Sequence, residues 1–179
     1  MLGGKLKYYL LMHMVIFIWG FTGVIGRLLN ETSSPLPVEA IVFYRMLIGF
    51  VSIGIFMLIT RRKVQMNTKT LLKVAGTGLI IAAHWITFFL SIYFSNVSFA
   101  LIFFATTALF TSFLEPLLMR KKFDPSELIM GIVVLVGITI IGYNSILEEQ
   151  TEGNKVISYG WAMATAIISA FLAALFSVI

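Results

Sequence analysis

The chain contains no cysteine and has unusually little charge. Of its 179 residues, 12% are charged and 59% are hydrophobic, whereas an ordinary soluble domain has about a quarter and about half. The lack of cysteine excludes disulfide frameworks, thiolate zinc sites and cysteine nucleophiles. The shortage of charge excludes a water-soluble fold, because large apolar patches would cover its surface. We therefore expect the chain to be solvated by lipid.

Enzyme motifs are also missing. The sequence has no H-E-x-x-H, G-x-S-x-G or P-loop motif, and no single apolar run holds histidines and carboxylates at metal-ligand spacing. We therefore expect no enzymatic activity, no metal site and no cofactor. The net charge of +5 does not indicate a nucleic-acid partner, because in a membrane protein the distribution of basic residues among loops matters more than their sum.

Long apolar runs are what the sequence does contain. A helix needs about 20 apolar residues to cross the ~30 Å hydrocarbon core of a bilayer. Six runs reach about this length, so the sequence predicts an all-α, polytopic helical membrane protein with six transmembrane helices. The predicted spans cover approximately residues 8–28, 38–60, 73–94, 97–119, 126–147 and 158–179, and only Ser95 and Asn96 separate the third from the fourth.

The basic residues predict how these spans are oriented. If the N-terminus is cytoplasmic, the outer segments carry only Arg27 and Lys155, and Arg45 lies within a span. The positive-inside rule then predicts that the N-terminus and the C-terminal end are both cytoplasmic, in a multi-pass protein of the cell (inner) membrane. The basic residues on the cytoplasmic side are Lys5, Lys7, Arg61, Arg62, Lys63, Lys69, Lys73, Arg120, Lys121 and Lys122.

Motifs in the first four spans carry a family resemblance. They are Phe17–Phe21, Phe43–Arg45, Ala83–Phe89, Ala100–Thr107 and Leu114–Leu118. In these stretches the chain resembles the EamA-type branch of the drug/metabolite transporter superfamily. Members of that branch have ten helices in two five-helix repeats, the second inverted relative to the first.

The resemblance implies a division of the chain. Residues 1–147 are expected to form the first repeat, residues 148–157 an outer linker, and residues 158–179 the first helix of a second, truncated repeat. We therefore expect the sequence to be a fragment of a longer transporter, with a natural six-helix protein as the alternative. A shift of 150 positions supports the repeat, since it places Tyr9 on Tyr159, Gly20 on Ala170 and Gly23 on Ala173.

The function that the resemblance implies is transport of small organic metabolites by alternating access, with export of amino acids or related metabolites as the specific expectation. The partners are then a small-molecule solute and the lipid bilayer. Two alternatives remain. One is a non-transporting membrane scaffold or assembly subunit. The other is a half-transporter that works as a homodimer, although an inverted dimer needs nearly balanced loops and the loops here are strongly biased.

Three ionisable residues lie within the predicted spans, where charge is costly and usually functional. At ~1.5 Å per helical residue, we expect Arg45 about 6 Å to the outer side of the midplane, His84 near it and Glu115 about 10 Å to the inner side. Arg45 is predicted to contact an anionic group of the solute, or else to bond backbone carbonyls or extend to the outer membrane interface. His84 is predicted to couple transport to protons, or else to bond another helix.

Glu115 precedes Pro116, which is expected to kink the fourth span. The pair is predicted to act in proton coupling or gating, with an ion pair between Glu115 and Arg120 or Lys121 as the alternative. Aromatic residues near the midplane suit solutes with apolar bodies. With Arg45 and His84, the predicted solute pathway therefore includes Trp19, Tyr44, Trp85 and Phe104. Gly20, Gly23 and Gly26 are predicted to allow close packing of the first span.

Overall fold

The protein is helical throughout the part that the structure describes. The computed structural model describes residues 2–30, 34, 36–61, 67–123, 125–149 and 155–179, which form eight helices and no strand. They are α1 (Leu2–Gly20), α2 (Thr22–Asn30), α3 (Val38–Ile59), α4 (Thr68–Phe94), α5 (Val97–Phe104), α6 (Thr107–Met119), α7 (Pro125–Glu149) and α8 (Lys155–Val178). This confirms the predicted all-α, polytopic membrane fold.

The apolar helices match the predicted spans closely. Five stretches are long and apolar enough to cross a bilayer, and a shorter apolar stretch, Pro125–Ile140, opens α7. Two of the five stretches each contain a pair of helices: α1 with α2, and α5 with α6. The five long stretches are Leu6–Leu29, Val38–Ile59, Thr68–Phe94, Val97–Met119 and Tyr159–Val178.

The first and fourth spans each have a short break in their regular helical pattern. The breaks lie at Phe21, about eight residues before Leu29, and at Ala105, about eight residues after Val97, so each is about 12 Å from the end of the bundle where α2 ends and α5 begins. Ala105 and Thr106 keep right-handed helical torsions. At the second break, the hydroxyl groups of Thr106 and Thr107 donate hydrogen bonds to the carbonyls of Phe103 (2.7 Å) and Phe104 (2.6 Å). These bonds satisfy carbonyls that lipid cannot.

The centre of the bundle is the contact of α8 with α4, the most extensive helix pair, and α8 also packs on α5 and α6. The face of α8 that is buried there is made of small residues, which let helix backbones approach closely in a membrane. It consists of Ala162, Ala166, Ser169, Ala170, Ala173 and Ala174. The small side chains thus allow α8 to lie directly against α4.

The C-terminal end of α4 is joined to its neighbours by two polar side chains. The side chain of Asn96 accepts a hydrogen bond from the backbone N–H of Phe99 (2.8 Å) and so caps α5 after the tight connection predicted from the sequence. One guanidinium nitrogen of Arg27 donates to the carbonyls of Ile92 (3.0 Å) and Ser95 (3.1 Å). A positive charge at the C-terminal end of α4 is favourable because of the helix dipole.

Candidate solute-binding site

A cavity of about 330 Å³ lies between α2, α3 and α4, near the lower end of the ~300–1,000 Å³ that small-molecule pockets span. Three polar side chains line this cavity, those of Thr22, Tyr44 and Arg45, and the rest of its wall is apolar. We refer to it as the Arg45 cavity. Its apolar wall consists of Ile25, Gly26, Leu29, Leu36, Ile41, Ile48 and Phe89.

The guanidinium of Arg45 lies over an aromatic ring. The Cζ atom of its guanidinium is 3.5 Å from the centroid of the Trp85 ring, a close cation–π contact. Trp85 itself is buried and packs against the rings of Phe88 (5.8 Å between centroids) and Phe89 (5.9 Å). Among the residues that the structure describes, none accepts a hydrogen bond from Arg45. The guanidinium is therefore held by its contact with the Trp85 ring, while its N–H groups have no acceptor among the described residues.

A second cavity, of about 220 Å³, lies between the first span, α4 and α5, and Trp85 is part of its lining. We refer to it as the His84 cavity. Thr22 lines both cavities, so they are adjacent. The residues predicted for the solute pathway are divided between them: Tyr44 and Arg45 line the first, and Trp19, His84, Trp85 and Phe104 line the second.

His84 joins the site to α8. Its Nδ1 lies 3.0 Å from the carbonyl oxygen and 2.9 Å from the hydroxyl oxygen of Ser169. A protonated Nδ1 donates to the carbonyl, and an unprotonated Nδ1 accepts from the hydroxyl. In the first case the Ser169 hydroxyl donates to the carbonyl of His84 (3.1 Å). Nε2 makes no hydrogen bond within the described part of the chain, and the ring lies beside Phe104 and Phe176, with centroids 5.4 and 5.5 Å away. The imidazole therefore both bonds another helix and lines a cavity.

Glu115 and Pro116 lie away from both cavities. The Glu115 carboxylate pairs with the ammonium of Lys121 at 2.6 Å, and the two side chains are 37% and 56% exposed. Pro116 is buried in α6, and its carbonyl accepts a hydrogen bond from the backbone N–H of Lys121 (3.2 Å). The structure thus forms the ion pair that the sequence analysis gave as the alternative for Glu115. A coupling or gating role for these two residues stays a prediction.

The three glycines of the first span have different surroundings. A Cβ atom at Gly26 would lie 2.2 Å from the ring of Phe89, and one at Gly23 would lie 3.0 Å from Val97. At Gly20, a Cβ atom would meet nothing within 4 Å in the described structure, and this residue instead lines the His84 cavity. The close approach to neighbouring residues is therefore at Gly23 and Gly26.

Three residues of the site were not singled out from the sequence. Phe89 lies four residues after Trp85, so the two share a helix face, and that spacing could have identified it. Thr22 and Ser169 gave no comparable signal. The role of Thr22 depends on the break at Phe21, and that of Ser169 depends on α8 packing against α4.

Apolar spans that enclose adjacent cavities with a few polar side chains are compatible with a membrane protein that binds small molecules. The EamA-like transporter family matches residues 6–143, and the chain belongs to this family. No curated protein and no solved structure matches the chain. The family consists of membrane transporters for small solutes, and the chain is a multi-pass membrane protein.

Proposed function

We propose that this protein moves small organic metabolites, including amino acids or related compounds, across the membrane by alternating access. The observation that carries the proposal is that Arg45, a charged residue within an apolar span, lines a cavity and makes no hydrogen bond or ion pair with another described residue. Charged groups inside membrane spans are expensive and typically mark substrate or ion pathways. The solute pathway in this proposal includes the Arg45 and His84 cavities.

The broken spans support this pathway. In many transporters the substrate site lies beside discontinuous helices near the middle of the membrane. Here Gly20 and Thr22 flank the break at Phe21, Phe104 precedes the break at Ala105, and all three of these flanking residues line the His84 cavity.

His84 is the proposed proton-coupling residue. It lines a cavity, and an imidazole exchanges protons near neutral pH. Glu115 is the weaker candidate, because it is already paired with Lys121 and is partly exposed.

The orientation and the domain division are also proposals. The N-terminus and the C-terminal end would be cytoplasmic in the cell (inner) membrane, as the basic residues predict. The division places the first repeat at residues 1–147, the outer linker at 148–157 and the first helix of the second repeat at 158–179. Ala173, the counterpart of Gly23 in the shifted sequence, is buried in α8, which supports a shared packing role.

Solute flux into proteoliposomes tests the function. The full-length protein is reconstituted and assayed with a panel of amino acids and other organic metabolites. We expect Arg45→Ala to lower flux about tenfold or more, which corresponds to the loss of one hydrogen-bonded charge contact with the solute. His84→Ala should remove the dependence of flux on the proton gradient, whereas Glu115→Gln should retain it.

One result would contradict the transport function, and another would contradict the roles of the three side chains. If no solute in the panel is transported, the transporter function is wrong. If all three variants behave as the unaltered protein, the function stands but these side chains have structural roles. A stable hetero-partner found by cross-linking, without any stabilisation by solutes, would favour a scaffold.

A further inference from the structure

We infer that the Arg45 cavity binds an organic monoanion with an apolar body, and that Trp85 is the residue that positions Arg45 for it. The inference rests on the proposed function, because it names the class of solute for a site on the transport pathway. It follows from the charge, the walls and the guanidinium geometry of the cavity.

The charge of the cavity indicates one negative charge on the ligand. Of the described residues that line the two cavities, Arg45 is the one with a permanent charge, and none is a carboxylate. Thr22 and Tyr44 add hydroxyl groups to the lining of the Arg45 cavity. One guanidinium flanked by neutral hydroxyls matches a single carboxylate better than a multiply charged group or a cation.

The walls of the cavity indicate that the rest of the ligand is apolar. Six aliphatic and aromatic side chains face this space. They are Ile25, Leu29, Leu36, Ile41, Ile48 and Phe89. A polar ligand body would lose its hydrogen bonds to water there without gaining hydrogen bonds to the protein. The site therefore favours a hydrocarbon chain or ring attached to the carboxylate.

Trp85 leaves the donors of Arg45 available. A guanidinium is planar, and its five N–H groups point outward in that plane. At a Cζ–centroid distance of 3.5 Å, an edge-on guanidinium would bring its nitrogens too close to the ring, so the distance favours contact through the face. The edge then stays available to a carboxylate that binds through two parallel hydrogen bonds. Because Trp85 is fixed by Phe88 and Phe89, the guanidinium is held before the ligand arrives, and this lowers the entropic cost of binding.

Calorimetric titration of the full-length protein in phosphatidylcholine nanodiscs tests the site. The probes are benzoate and hexanoate, each compared with its neutral amide, benzamide and hexanamide. We expect the carboxylates to bind about tenfold more tightly than the amides. Arg45→Gln should weaken carboxylate binding about tenfold to a hundredfold, as for the loss of a charge-assisted contact. Lys69→Gln, which removes an exposed positive charge on α4 away from both cavities, is the matched control and should bind normally.

The positioning role of Trp85 has its own pair of variants. Trp85→Phe keeps an aromatic face beneath the guanidinium and should retain carboxylate binding within a few-fold, whereas Trp85→Leu should weaken it about tenfold. Equal binding by both variants would show that the aromatic face does not position Arg45. If Arg45→Gln does not fold, Arg45→Lys replaces it: unchanged carboxylate affinity without the planar fork would contradict the inference.

The remaining outcomes separate the inference from the transport function. If carboxylates and amides bind equally but other solutes are transported, the inference is wrong and the transport function stands. If carboxylates bind selectively but no solute is transported, the transport function is wrong and the binding inference stands. A third arm replaces part of the phosphatidylcholine with phosphatidylglycerol: if this anionic lipid alone abolishes benzoate binding, the cavity holds a lipid headgroup and the assignment to a solute is wrong.

Discussion

At the scale of single residues, the position of Arg45 is not explained by stability. A charged residue near the centre of a span costs about 2.5–3.5 kcal/mol on insertion scales, whereas a cation–π contact such as that with Trp85 contributes about 0.5–2 kcal/mol. A hydrogen bond to a charged group adds about 1.5–3 kcal/mol, which is enough to close the difference once a ligand is bound. A role in ligand binding therefore explains the charge at Arg45 better than a role in stabilising the fold.

The bonds between His84 and Ser169 have a measurable effect on stability. Ser169→Ala removes the hydroxyl, which lies 3.1 Å from the His84 carbonyl oxygen and 2.9 Å from Nδ1, but leaves the Ser169 carbonyl as an acceptor for Nδ1. We expect the free energy of unfolding to fall by about 0.6 kcal/mol and by at most about 1.7 kcal/mol, the range found for hydrogen bonds between membrane helices. Reversible unfolding in mixed micelles measures the change.

Ser177→Ala is the matched control for this prediction. Ser177 lies in the same helix, but its hydroxyl donates to the carbonyl of Ala174 in its own α8 (2.7 Å) and joins no second helix. Its removal should change stability less than the removal of the Ser169 hydroxyl. Equal losses in the two variants would mean that the bond from Ser169 to His84 does not hold α8 to α4.

At the scale of helices, contacts at glycine set how closely neighbours pack. A Cβ atom at Gly26 of α2 would lie 2.2 Å from a ring carbon of Phe89 in α4, and one at Gly131 of α7 would lie 2.6 Å from Leu109 of α6. Both contacts join helices that are neighbours in the bundle. The sequence analysis named Gly26 but not Gly131, because glycines in apolar runs look alike until a facing residue is known.

Replacement of Gly26 by alanine tests this packing. Phe89 is 4% exposed, so its ring has little room to move away from a new methyl group. We expect Gly26→Ala to lower the free energy of unfolding by about 1–3 kcal/mol, the usual cost of overpacking. Gly49→Ala in α3, where a Cβ atom meets nothing within 4 Å in the described structure, should be neutral or slightly stabilising. A similar melting temperature for both variants would contradict the proposed close contact.

The lengths of the helices could be predicted from the sequence, whereas their breaks and neighbours could not. Apolar run length is a local property, and it placed the ends of α3 and of the fourth span correctly. The break at Ala105 and Thr106 contains no proline or glycine, so nothing in the local pattern indicates it. The stacking of Arg45 on Trp85 depends on how α3 and α4 are rotated toward each other, which periodicity alone does not determine when nearly every face is apolar.

At the scale of the whole molecule, packing is uneven. In the apolar windows of the first and second spans 11% of residues are buried, compared with 39% in α8. The first two spans carry Trp19, Tyr44 and Arg45, so one side of each cavity belongs to the less buried helices and the other side to α4, which packs on α8. The less buried side is the one that we expect to move when a solute enters or leaves.

The orientation of the whole chain can be measured by cysteine labelling, and the absence of native cysteine gives a blank background. Ser98 and Lys122 are exposed residues predicted to lie on opposite sides of the membrane. With an impermeant maleimide on intact cells, we expect Ser98→Cys to react and Lys122→Cys to react only after permeabilisation. The opposite pattern would reverse the proposed orientation, and partial labelling of both in intact cells would indicate the dual topology that an inverted dimer needs.

Two helix ends predicted to face the cytoplasm have arginine where backbone geometry prefers glycine. Arg61 follows α3 with φ 50°, and Arg120 follows α6 with φ 54°. The left-handed conformation costs a residue with a side chain about 1–2 kcal/mol, while a positive charge at a helix C-terminus returns about 0.3–1 kcal/mol. Glycine would give the more relaxed turn but would lose one of the charges that direct insertion. In the proposed orientation, arginine at these two positions lowers the stability of the folded protein and in return directs the orientation in which the chain inserts into the membrane.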